Sequence, residues 1–81
     1  MGDFTESGAE ADAYLAHANG FKDAGNAAFQ RGDVDTAISL YSQAISLNPD
    51  DPVYYSNRSA AYMKASHVSK ALRDAEKCVE L

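Results

Sequence analysis

Cysteine is nearly absent: the 81 residues hold one, Cys78, so no internal disulfide can form. On the apolar side of the last helical pattern it reads as a small packing residue rather than a reactive thiol. No apolar run approaches membrane-spanning length, and the first residues offer neither the basic nor the apolar region of a signal peptide. These absences predict a soluble, cytoplasmic protein with no membrane partner. Lysine and arginine are missing from residues 1 to 17, which carry Asp3, Glu6, Glu10 and Asp12. Residues 18 to 81 have eight acidic and seven basic side chains, and the formal net charge is -5. Without a basic stripe, nucleic acid is excluded as a partner. His17 and His67 stand in unrelated contexts, and neither metal-ligand spacing nor a phosphate-binding glycine loop is present. No catalytic residue, metal or cofactor is therefore assigned, and an enzyme is not expected. Two short motif matches are set aside. Glu6 occupies the position where myristoylation after Met1-Gly2 needs Ser or Thr, and the Asn57-Arg58-Ser59 triplet falls inside a predicted helix.

Alternating β-branched runs are missing too, whereas alanine and other helix formers abound, so the class is all-α. The chain is long enough for one small domain. Residues 1 to about 8, polar and acidic, are expected to be disordered, with helix from about residue 10 after a capping-box spacing of Ser7 and Glu10. Asn19-Gly20 either divides this segment or lies inside one long helix, and the long helix is preferred. Arg31-Gly32 ends it and Asp33 caps a second helix to about Leu47, with Ala37, Ile38, Tyr41, Ala44 and Ile45 inward. Asn48 to Pro52 is a stop, with Pro52 opening the next helix. Val53 to Ala65 and Val68 to Leu81 complete four helices. Ala24, Gly25 and Ala28 are small enough to let the partner helix come close.

Slid back by 34 positions, the chain overlays itself: Phe21 meets Tyr55, Gly25 meets Ser59, Phe29 meets Met63 and Ile38 meets Leu72. Ala27, Val34, Ala37 and Leu47 meet identical residues at Ala61, Val68, Ala71 and Leu81. A fixed period of this length marks stacked repeats.

The residues resemble the tetratricopeptide repeat, a 34-residue helix–turn–helix. Phe21, Gly25, Ala37, Tyr41, Ala44 and Pro49 match its pattern in the first repeat, and Tyr55, Tyr62, Ala71 and Cys78 in the second. Ala24, Ala28 and Ser59 depart from it. The resemblance implies a right-handed α-solenoid with an acidic tail over 1–17 and repeats over 18–51 and 52–81, the second lacking its last residues. "FKDAGNAAF" and "YYSNRSAAY" further resemble the chaperone-binding subgroup of that family, the Hsp-organising (Sti) proteins with their N-terminal repeat domain. In that subgroup a lysine and two asparagines form part of a carboxylate clamp for the C-terminal Glu-Glu-Val-Asp tails of heat-shock proteins 70 and 90. By position these are Lys22, Asn26 and Asn57, with Phe29 as a wall of the peptide groove.

Taken singly, Lys22, Asn26 and Asn57 are ordinary polar helix residues, and their spacing is what makes the clamp specific. Lys22 and Asn26, four apart, share one helical face, and Asn57 comes from the neighbouring leading helix. An ammonium and two amides supply donors to a peptide terminus without an opposing charge. Tyr54, Tyr55 and Tyr62 are read as core, and Arg58 and Lys64 as solvated. The clamp of the subgroup also uses a Lys and an Arg from a third repeat, which this chain does not reach. The clamp is thus incomplete, the chain is expected to be a fragment of a longer co-chaperone, and Val68, Leu72, Ala75 and Val79 lack a neighbour. That uncovered helix favours a homo-oligomer, face to face or by helix exchange about Asn48 to Pro52. The alternative function is a generic repeat scaffold for self-assembly or for binding an unrelated helix, with no recognition of chaperone tails.

Overall fold

The computed structural model describes residues 2–81, with side chains from Ala13 onward. Four helices follow one another: α1 (Gly2–Gln30), α2 (Val34–Leu47), α3 (Pro52–Lys64) and α4 (Val68–Glu80). Among the described residues there is no strand and no helix long and apolar enough to cross a membrane. Links of three or four residues fold consecutive helices back on each other, so α1 packs on α2, α2 on α3 and α3 on α4, while α1 and α3 touch lightly.

The 34-residue period is visible in the backbone. Gly32, at φ 84°, and Ser66, at φ 66°, occupy the same left-handed position after α1 and α3. Each closes its helix by the same pair of bonds: Gly32 N to Phe29 O and Asp33 N to Ala28 O, then Ser66 N to Met63 O and His67 N to Tyr62 O. Such a closure satisfies carbonyls that the helix end would otherwise leave without partners. The following helices differ in their caps. Asp33 accepts from Thr36 N, whereas His67 makes no side-chain cap bond. Asp51 caps α3 through Val53 N at 2.9 Å, and Pro52 stands in its first turn.

Two small clusters hold the stack together. Ala28, Ala37, Tyr41 and Ala61 form one, flanked by Phe29, Val34, Ile38 and Leu40. Ala18, Ala44 and Tyr54 form the other, flanked by Phe21, Ile45 and Leu47. Alanines at the crossing points let the helices approach, and tyrosines fill the space between them.

Three expectations change. The helix begins at Gly2 rather than near residue 10, while its unbroken course through Asn19-Gly20 is the one preferred from the sequence. The expected disorder of residues 1 to 8 is therefore not seen over 2 to 8, Met1 lying outside the described residues. Elongating a helix already anchored by packing at Ala18 avoids the nucleation step, and no proline intervenes. The side chains of Ser7 and Glu10 lie outside the described set, but the helix is already under way there, so Ser7 does not begin it. Ala24 is exposed on the outer edge of α1, and only Gly25 and Ala28 face the crossing with α2. Cys78 is half-buried.

Candidate functional site

Gly25 decides where Tyr41 can lie. A Cβ at Gly25 would stand 2.7 Å from Tyr41 Cε1 and 2.8 Å from Cδ1, so the ring rests against bare backbone of α1. Tyr41 is 2% exposed, and burial pushes its pKa above the ordinary value by penalising the phenolate. Its hydroxyl emerges beside Asn26 and donates to Asn26 Oδ1 at 2.5 Å.

Asn57 Nδ2, on α3, donates to the same oxygen over 3.4 Å. With Oδ1 accepting twice, the remaining hydrogen-bonding capacity of Asn26 is its two N–H donors. The amide orientation is thereby fixed, and a helix-to-helix bond joins α1 and α3 where they meet. Lys22 precedes Asn26 by one turn on α1, half-buried along its stem. Its ammonium lies 3.6 Å from Asp23 Oδ1, and Asp23 is 73% exposed, so this pair is weak and can be exchanged for another anion. The structure thus joins Asn26 directly to Asn57, whereas Lys22 is tied to them through the shared helix face. Phe29, one turn beyond Gly25 on α1, is half-buried against the cluster containing Tyr41. Lys22, Asn26 and Asn57 thus offer an ammonium and amide N–H donors, groups that can pair with the oxygens of an anion.

Two roles lie beyond what the sequence pattern shows. Tyr41 does more than fill the core that its inward position implies, because its hydroxyl orients Asn26. The signal available was Tyr41 aligned with Ala75 wherever Gly25 aligned with Ser59: a large residue over glycine in one hairpin, a small one over serine in the other. Arg58, expected to be solvated, is not. Its Nε and Nη2 donate to Asp74 Oδ2 and Oδ1 at 2.7 and 2.8 Å, and Nη1 donates to Ser42 Oγ at 3.1 Å. The guanidinium also lies 5.9 Å from the Tyr55 ring centre and 5.6 Å from that of Tyr62. Asp74 is a charged residue among the buried set, and a buried carboxylate requires a partner with this geometry. The hydrogen bond to Asp74 raises the Arg58 pKa further, against burial, which lowers it. Arg58 therefore ties α3 to α4 and to α2. Tyr54 and Tyr55 are buried and Tyr62 half-buried, as core residues should be, and His17 and His67 are exposed.

A family model described as TPR repeat matches residues 25–66. Serine/threonine-protein phosphatase 5 of Homo sapiens is 44% identical over 71 residues, covering 88% of this chain and 14% of that protein. Hsp70-Hsp90 organizing protein 2 of Arabidopsis thaliana is 49% identical over 57 residues, covering 70% of this chain and 10% of that protein. The chain therefore spans 10 to 14% of the length of these relatives. Among solved structures, the Sgt2 TPR domain from Aspergillus fumigatus superposes with a TM-score of 0.74 at 44% identity, over 75% of this chain and 40% of that one.

Proposed function

The chain belongs to the tetratricopeptide-repeat family, and we propose that it is the tail-binding part of a cytoplasmic co-chaperone, a non-enzymatic module that holds the C-terminal carboxylates of heat-shock protein 70 or 90. The observation that carries this reading is the Tyr41–Asn26–Asn57 chain of hydrogen bonds. It leaves amide donors beside Lys22 on the surface where a Glu-Glu-Val-Asp terminus would dock. The relative named as an Hsp70-Hsp90 organizing protein gives the reading its chemistry. Phe29 forms an apolar wall for the side chain upstream of the terminal aspartate.

A labelled peptide ending in Met-Glu-Glu-Val-Asp, titrated by fluorescence anisotropy beside its amidated twin, tests the proposal. Each charge-assisted bond contributes about 1.5–3 kcal/mol when desolvated, so Asn57→Ala should weaken binding about 10- to 150-fold. The amidated peptide should bind no better than that variant. Equal binding of both peptides, unaffected by Asn57→Ala, would instead support the second reading, a repeat scaffold without tail recognition. That reading draws on the apolar grooves at the two ends of the stack, which are lined by neither Lys22, Asn26 nor Asn57.

A further inference from the structure

Among the described residues, two side-chain hydrogen bonds join α1 directly to α3. One is the Asn57–Asn26 bond of the candidate site. The other lies nearer the start of α1, where the Tyr54 hydroxyl donates to Asn19 Oδ1 at 2.6 Å. Tyr54 is 0% exposed, and a buried hydroxyl left without an acceptor is costly. Its proton therefore holds the Asn19 oxygen, and the free capacity of that amide is its two N–H donors. Asn19 is exposed, so those donors are open to a ligand. Tyr54 does for Asn19 what Tyr41 does for Asn26.

Asn19, Lys22 and Asn26 stand at i, i+3 and i+7 on α1 and so form one stripe of that helix. Along the axis the two asparagines are about 10.5 Å apart, with the Lys22 stem between them. A single carboxylate is too small to reach both amides, whereas two carboxylates fill the stripe, one at Asn26 and Asn57 and the other at Asn19. Lys22 attracts both, since its contact with the exposed Asp23 at 3.6 Å is weak. A peptide whose last residue is acidic brings two carboxylates that close together. With the terminal carboxylate at Asn26 and Asn57, the side chain of that residue is left for Asn19.

We propose that Asn19 is a further tail-binding residue, positioned by Tyr54, whose amide donates to the side-chain carboxylate of the last peptide residue. The chain thereby selects peptides that end in an acidic residue over those that end in a neutral one. This inference rests on the carboxylate-clamp reading above and adds a second oriented amide on the other side of Lys22. Its groups lie on α1 and α3, away from the uncovered face of α4. An Asn19 that served only as the acceptor for Tyr54 would affect stability and leave peptide affinity alone.

Anisotropy titrations with two labelled peptides decide the matter, one ending in Met-Glu-Glu-Val-Asp and the other in Met-Glu-Glu-Val-Asn, both with a free terminal carboxylate. Asn19→Ala should weaken binding of the first about 3- to 10-fold and leave the second unchanged. Tyr54→Phe removes the hydroxyl without emptying the core, and it should produce a smaller loss for the first peptide because the Asn19 amide is then free to turn. Circular dichroism checks that helicity is kept. Should Asn19→Ala lose helix, the pair Asn19→Ala and Tyr54→Phe, which leaves no hydroxyl without an acceptor, is compared with Tyr54→Phe alone. If Asn19→Ala binds the first peptide as the unmodified chain does while Asn57→Ala does not, the clamp stands and the proposal is overturned. Equal losses for the two peptides would also overturn it, because Asn19 would then not read the side-chain carboxylate. Should the unmodified chain bind neither free-acid peptide, or bind the amidated one equally well, the clamp reading itself fails and this proposal fails with it.

Discussion

Two glycines five residues apart on α1 should respond to the same substitution with opposite signs. Gly20 has nothing within 4 Å of a built Cβ, whereas at Gly25 the added atom would meet Tyr41 at 2.7 Å. Ordinary carbon contacts lie near 3.5–4.0 Å, so the Tyr41 ring must retreat by roughly 1 Å inside a core where it is 2% exposed. Replacing a helical glycine by alanine gains about 0.8–1 kcal/mol in propensity, and overpacking a core costs about 1–3 kcal/mol. Gly20→Ala should therefore stabilise the chain by about 0.5–1 kcal/mol, and Gly25→Ala should destabilise it by up to about 2 kcal/mol. Urea unfolding followed by circular dichroism at low protein concentration measures both. Removing the ring removes the conflict: in a Tyr41→Ala background, Gly25→Ala should become stabilising. An unchanged cost in that background would show that the clash with Tyr41 is not its cause, and the account of how Asn26 is positioned would lose its first step.

Other perturbations have equally definite signs. Asp74→Ala leaves Arg58 without its bidentate partner, and because Arg58 keeps 20% exposure the loss should be about 2–3 kcal/mol, below that of a fully buried pair, as read from urea midpoints. Ser66→Gly relieves a non-glycine residue at φ 66° and should raise stability by about 0.5–1 kcal/mol by the same assay. Tyr41 has its pKa raised by burial above the usual 10.0. The folded state therefore holds this proton more tightly than the unfolded one. The associated stability is complete below pH 10.0 and is lost as pH climbs through the folded value. Tyr41→Phe should remove that part of the alkaline loss in urea titrations at successive pH values.

The chain announced its four helices because its punctuation is local. Gly32, Asp33, Asn48 and Pro52 act through their own backbone conformation or through a neighbour within a few residues, and each stands where the sequence placed it. The inward face of α2 was equally legible, since Ala37, Tyr41 and Ala44 recur at helical intervals and all are buried. What escaped depends on partners distant in sequence. Arg58 looks like any exposed arginine until Asp74, 16 residues later, is brought beneath it. The start of α1 escaped for another reason: an acidic segment reads as disorder unless the helix behind it is already anchored. At the candidate site the resemblance supplied Lys22, Asn26 and Asn57 alike, and helical spacing adds only that the first two share a face. The hydrogen bond from Tyr41 that orients the Asn26 amide needs the three-dimensional crossing at Gly25.

The most direct test of the central claim is to follow the side-chain amide resonances of the ¹⁵N-labelled chain while adding the Met-Glu-Glu-Val-Asp peptide. The Asn26 and Asn57 amides should shift with the free-acid peptide and stay in place with the amidated one, while Asn48 and Gln43 remain unchanged with both. Shifts confined to other amides, or identical responses to the two peptides, would contradict the assignment of a carboxylate clamp to Lys22, Asn26 and Asn57.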